Sequence, residues 1–251
     1  MRFDKLPLLD DDFDAAQLLN AVANRRRDRV ARGSPPDDPT RTFLDPEIAK
    51  QVYEAEWDQD PFTAGAVVPD PDFAELLEGA KAQIIEAMPE WREVLSLPVR
   101  VMVVPTSTYF GYSILSSPQH IYLASLDDQR RDPRLLLENY LHEFAHLWLY
   151  LIEEVHPFEE ALHRLTYTLP SGTSGRTVTA TMDAAYVAAV LRRYYARVDN
   201  VPRRSELTAY VAGCLMQIKD DPDLTEVGLS VCRRLASELT VHFHSSRMAG
   251  Q

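Results

Sequence analysis

Apolar residues along this chain recur at helical spacing in three N-terminal stretches, give way after residue 97 to short β-branched runs, and then return to helical spacing. The first stretch, DDFDAAQLLNAVANRRRDRVARG, reads as one helix stopped by Ser-Pro-Pro-Asp-Asp-Pro, a run that cannot continue it. DPEIAKQVYEAEW and AELLEGAKAQIIEAMPEW read as two more helices, separated by a Pro- and Asp-rich loop. LPVRVMVVP and QHIYLASL have the composition of strands, and TSTYFGYSILSSP between them has that of a connecting loop. Asp132 and Pro133 supply an N-cap and a first helical position, so a helix is predicted from there to about Val155, before Pro157. A further amphipathic helix is predicted from near Thr181, through Val187, Val190, Leu191 and Tyr194, after the loop LPSGTSG. The expected fold is therefore α+β and mainly helical, with a small sheet beside the Asp132 helix. A helical N-terminal region, 1–96, is expected to pack on a core, 97–251, as one compact unit.

The helix after Asp132 contains His142-Glu143-Phe144-Ala145-His146. Residues four apart lie about 40° apart around a helix and one turn along it, so both imidazoles can reach one ion, with Glu143 to one side. His-Glu-x-x-His on a helix points to a metal site in which the glutamate works as an acid or base. Leu136, Leu137, Tyr140, Leu141, Phe144, Leu147, Trp148 and Leu151 make the helix apolar nearly all round, which predicts burial. Buried imidazoles and a buried carboxylate are costly unless paired or metal-bound.

Two histidines do not complete a site. Ile152 occupies the place of a metzincin histidine, which excludes that class. His156 lies about 21 Å from His142 along an unbroken helix and suits the helix C-terminus instead. Glu153, Glu154, Glu159 and Glu160 lie too close in sequence to fold back on His146. Asp183, in the first turn of the next predicted helix, is the remaining candidate, against a simpler role as an acid favouring that helix's dipole. His120, His163, His242 and His244 have no ligand-like spacing.

Charge removes some classes of partner. The chain of 251 residues carries a net charge of -12, which argues against nucleic acid, since phosphate affinity comes from clustered Lys and Arg. Arg25, Arg26 and Arg27 are expected on a solvated helix face. No apolar run reaches the roughly 20 residues of a membrane span. The acidic N-terminus MRFDKLPLLDDDFD does not read as a secretion signal, so a cytoplasmic protein with its two cysteines reduced is expected.

From Leu97 to Leu239 the chain resembles the HExxH-motif proteins associated with ribosomally made, post-translationally modified peptides. Those proteins have a buried His-Glu-x-x-His helix, then an Arg-Pro-apolar-x-Gly-x-apolar-His-Gly-Ala-Tyr block, then a Leu-Thr-x-x-Gly helix start. The corresponding segments here are Arg176 to Tyr186 (RTVTATMDAAY) and Leu224-Thr225-Glu226-Val227-Gly228. Asp183 stands where the family has histidine, and the proline and both glycines of the block are missing. The resemblance implies an Fe(II) centre of His142, His146 and Asp183, the two-histidine, one-carboxylate set of non-haem oxygenases. It further implies 2-oxoglutarate as co-substrate; Arg176 is the candidate to pair its distal carboxylate, against a plain surface arginine, and Tyr186 either donates a hydrogen bond into the site or, the simpler role, packs. The implied reaction is hydroxylation of a β-carbon in a precursor peptide.

A zinc metallopeptidase is the rival reading, with Glu143 as general base; the HExxH helix beside a small sheet is expected to be zincin-like in either case. TxxMDAAY is also similar to the Asp-x-x-Tyr element of aspzincins, although their Gly-Thr is absent and their spacing to the helix is shorter. A non-catalytic peptide-binding scaffold is a further rival, and the intact glutamate argues against it.

Overall fold

The structure, a computed structural model, describes residues 4–30, 39–54, 65–104, 110–124, 126–160 and 166–240. His163, His242, His244 and most of the predicted 34–39 helix stop lie outside the described residues. The fold is mainly helical α+β with one small mixed sheet. The chain forms two compact units: Asp10–Pro157, and Met1–Leu9 with Phe158–Gln251. The first four helices and the His-Glu-x-x-His helix thus share a unit.

In the Asp10–Pro157 unit, helices α1 (Ala15–Val30), α2 (Pro39–Phe43), α3 (Pro46–Glu54) and α4 (Pro71–Ala87) precede strands β1 (Arg100–Val103), β2 (Gly111–Tyr112) and β3 (His120–Leu123). Helices α5 (Leu126–Arg131) and α6 (Pro133–Val155) follow. Start signals act as the chemistry requires. Asp70 caps α4 through the Phe73 amide, and Asp132 caps α6 through the Arg134 and Leu135 amides, each with proline next. The sheet order is β1-β3-β2. β3 is central and buried throughout, parallel to β1 with Arg100 opposite His120 and Val103 opposite Leu123. β2 lies antiparallel on the other side, Tyr112 opposite Tyr122. It sits inside the segment that composition marks as loop, because two paired residues are too few to leave an alternating pattern.

Helix α6 packs against β2, β3, α1, α4 and α5. Its apolar side chains are buried on all but one side, as expected. Arg26 departs from expectation: Arg25 is exposed, but Arg26 is fully buried. Its guanidinium forks onto Glu154 with two bonds of 2.9 Å, and it also donates to the Phe43 carbonyl and the Gln119 side chain. A carboxylate in the last turn of a helix is unfavourable against the helix dipole, and the bidentate arginine offsets that cost. Gln119, itself buried and at φ 58, passes the network on to the carbonyls of Leu44 and Pro98.

The second unit holds α7 (Val178–Arg197), α8 (Val201–Ile218) and α9 (Glu226–Thr240). Thr177 caps α7 through the Ala180 amide, so this helix starts three residues before the predicted Thr181 and is buried on most sides rather than amphipathic. A strap at residues 5–9 belongs to the same unit. Leu6, Leu8 and Leu9 are buried, and Tyr186, Arg193 and Arg234 donate to the carbonyls of Pro7 and Leu9. Gly228 lets α9 approach residue 158: a Cβ there would stand 2.3 Å from the Phe158 carbonyl oxygen. Cys214 and Cys232 are buried free thiols, both pushed up to about 12 by burial. Among the described residues no helix is long and apolar enough to cross a membrane.

Two predictions follow from this packing. Arg26→Met leaves the buried Glu154 carboxyl without its fork, and should cost about 3–5 kcal/mol in urea unfolding, whereas Arg26→Met with Glu154→Leu should recover much of that loss. Recovery no better than the single variant would contradict a paired-charge origin. The second concerns His120, which is buried with Nδ1 2.9 Å from the Pro118 carbonyl. Burial lowers its pKa below the ordinary 6.5, outweighing Glu47 nearby. The unfolded chain therefore takes up the proton first, so His120's share of stability is present above about pH 6.5 and is lost as pH falls. Urea unfolding of wild type and His120→Gln at pH 7.5 and 5.5 should show the wild type losing more between the two.

Candidate metal centre

The histidines sit where α6 is least enclosed. Leu135, Glu138, Asn139, His142, His146, Tyr150 and Glu153 form a half-buried strip along a helix otherwise packed into the core. Full burial was expected for the imidazoles, but both are only half-buried. Their Nε2 atoms stand 3.1 Å apart, and the rings meet edge-on at 4.8 Å between centroids. Two nitrogens each about 2.1 Å from one ion are separated by about 3.0–3.4 Å at octahedral or tetrahedral positions. The observed spacing suits a shared ion, and it also suits one neutral ring donating a hydrogen bond to the other.

Glu143 is 4% exposed and points to the sheet edge. The Ser113 hydroxyl lies 2.9 Å from its Oε2 and 3.2 Å from its main-chain carbonyl oxygen. Gly111, two residues before Ser113, presents only backbone. An added Cβ would come within 3.2 Å of both Cγ and Oε1 of Glu143 and 3.3 Å of the Tyr122 carbonyl oxygen. Tyr112, between them, stacks on Tyr122 at 5.1 Å and 12°. Alternation along an extended segment thus gives Glu143 one missing side chain and one small donor.

Beyond His146, Tyr150 stacks on the imidazole at 5.8 Å and 22°, its hydroxyl 3.5 Å from the Ser113 carbonyl. His156 is the C-cap of α6, its backbone N–H bonded to Ile152, and burial lowers its pKa.

The chain matches no protein-family model and no curated protein.

The sequence motif brings His142, Glu143 and His146 together in the Asp10–Pro157 unit, and the other sequence candidates lie in the second unit. Asp183 is the sixth residue of α7, not a first-turn acid, and is 6% exposed. The dipole role considered for it therefore weakens, because the effect fades beyond the first turn. Tyr186 is fully buried and gives its hydroxyl hydrogen to the Pro7 carbonyl at 2.7 Å. Arg176 has an exposed side chain and a backbone paired with Tyr167 through bonds of 3.0 Å. Among the described residues no three His, Cys, Asp or Glu side chains are gathered as a metal-holding group. Gly111, Ser113 and Tyr150 went unnoticed in the sequence. Tyr150 had a signal, since it continues the four-residue spacing of the histidines; Gly111 and Ser113 had none without the strand.

Space beside Glu143 is testable. Gly111→Ala needs only a small displacement of the Glu143 carboxyl, whereas Gly111→Val has to expel it or bend β2, at about 1–3 kcal/mol. Urea unfolding should rank them wild type, alanine, valine. Equal stability for the valine variant would show that Glu143 does not occupy this space in solution.

Proposed function

We propose that this protein is an Fe(II)- and 2-oxoglutarate-dependent oxygenase that hydroxylates a side chain, at its β-carbon, in a ribosomally made precursor peptide. The observation that carries the reading is the convergence of the His142 and His146 Nε2 atoms at 3.1 Å on the one half-open strip of α6. The Arg176–Tyr186 block adds a buried carboxyl, Asp183, at the position where the resembling proteins have a further histidine. His142, His146 and Asp183 would hold the metal, a donor set suited to Fe(II). When bound, iron supplies the activation of dioxygen.

The chain's own residues do the rest. Arg176, always charged and able to grip a carboxylate with two bonds, would take the distal end of 2-oxoglutarate. Tyr186, anchored on Pro7 three residues past Asp183, steadies α7. Glu143, hydrogen-bonded by Ser113 at 2.9 Å, is held beside the histidines, and hydrogen abstraction does not require it to take up a proton. A small sheet beside the motif helix would present the peptide in an extended form.

One observation favours a second reading. A carboxyl 4% exposed, next to a metal-binding histidine and against β2, is also placed for a zinc peptidase of zincin type, with Glu143 taking the proton of the attacking water. Hydrogen abstraction by an oxygenase needs no such base.

Anaerobic titration with Fe(II) and 2-oxoglutarate tests the choice. A weak visible charge-transfer band should appear in wild type, persist in Glu143→Gln, and vanish in His142→Ala and Asp183→Ala. Protein that retains tight zinc, shows no band, and cleaves peptides in a manner lost with Glu143→Gln would establish the peptidase instead.

A further inference from the structure

Convergence of the His142 and His146 Nε2 atoms at 3.1 Å depends on how the two ring planes are set. His142 meets His146 edge-on, at 63° between ring planes and 4.8 Å between centroids. The Tyr150 ring lies nearly parallel to that of His146, at 22° and 5.8 Å between centroids. We propose that Tyr150 is a positioning residue for the metal centre: its ring fixes the plane of His146 so that Nε2 is held where an ion shared with His142 would bind. This rests on the reading that the two histidines hold a metal, and not on which metal or reaction.

The ring, and not the hydroxyl, carries this role. At 3.5 Å the Tyr150 hydroxyl is at the long limit of hydrogen bonding to the Ser113 carbonyl and contributes little. Ring stacking holds whether or not that bond forms. Stacking acts by preorganisation: with the imidazole plane already set, less side-chain freedom is lost when the ion arrives. The interaction free energies of aromatic pairs correspond to factors of about three to ten in an equilibrium constant, and metal affinity is where that factor should appear.

The probe is Co(II) alone, whose visible spectrum reports imidazole coordination, added to the full chain, with circular dichroism melting of each variant in parallel. Wild type should bind and His142→Ala should not. Tyr150→Phe, which retains the ring, should bind within about twofold of wild type, and Tyr150→Leu about three- to tenfold more weakly. Because Tyr150 is half-exposed, both variants should fold; Tyr150→Met takes the place of the leucine variant if that one does not. A Tyr150→Leu protein that melts lower but binds Co(II) like wild type would reduce Tyr150 to packing and overturn the proposal. Equal weakening in Tyr150→Phe would assign the effect to the hydroxyl, which also overturns it. If wild type itself binds no Co(II), the metal-centre reading fails, and this inference with it.

Discussion

Helix α6 is apolar on every side but one, and that constraint governs the unit that contains it. Such a helix has to be walled in, and α1, α4, α5, β2 and β3 wall it. The enclosure has a chemical consequence. Past its first residues, α6 keeps partial access to solvent along the strip through His142, His146 and Tyr150, so an ion shared by the two histidines would approach there. Site position is thus a by-product of packing: whichever side the neighbours leave open is the side on which polar residues survive.

Enclosure also explains the buried charges at the far end of the helix. A carboxylate at position 154 opposes the helix dipole and sits out of water, so it is stabilised by a partner of opposite charge with several donors. Arg26 is that partner, and with Gln119 it ties α1, the α2–α3 junction and the turn before β3 to the end of α6. The network fixes where α6 ends, and a rigid helix of 23 residues passes that constraint back to the histidines near its middle. A well-packed apolar end would be as stable or more so; what the ion pair supplies is one geometry, because a displaced fork loses two charged bonds at once.

Elements with local causes were legible in the sequence. The α6 boundaries followed from Asp132, Pro133 and Pro157, and the two four-residue strands from β-branched composition. The His-Glu-His arrangement followed from helical periodicity alone. What escaped needed partners distant in sequence. Arg26 looks like its neighbours Arg25 and Arg27, and only Glu154, 128 residues away, marks it as buried. β2 is too short to leave a pattern, and so Ser113 and Gly111 remained hidden with it. The start of α7 was misplaced because Thr177 caps it from within what reads as loop composition. Asp183 was identified as an acid of interest, but its burial was not, because α7 looked amphipathic while packing covers most of its sides.

Glu143 is where the two chemical readings divide, and its surroundings constrain both. A hydroxyl hydrogen bond stabilises a carboxylate, while removal from water destabilises it. In a peptidase these opposing effects would set how readily Glu143 accepts a proton from water, and Ser113 would act by restraining its basicity. In an oxygenase the same pair would serve a different end: the Ser113 hydrogen bond would hold the Glu143 side chain in place beside the two imidazoles. Gly111 matters equally in both, since without the space it leaves the carboxyl cannot lie against β2 at all. The geometry around Glu143 is therefore a property of the scaffold that precedes the choice of metal. On the proposed reading, the reaction would be decided by what completes the coordination of an ion held by His142 and His146.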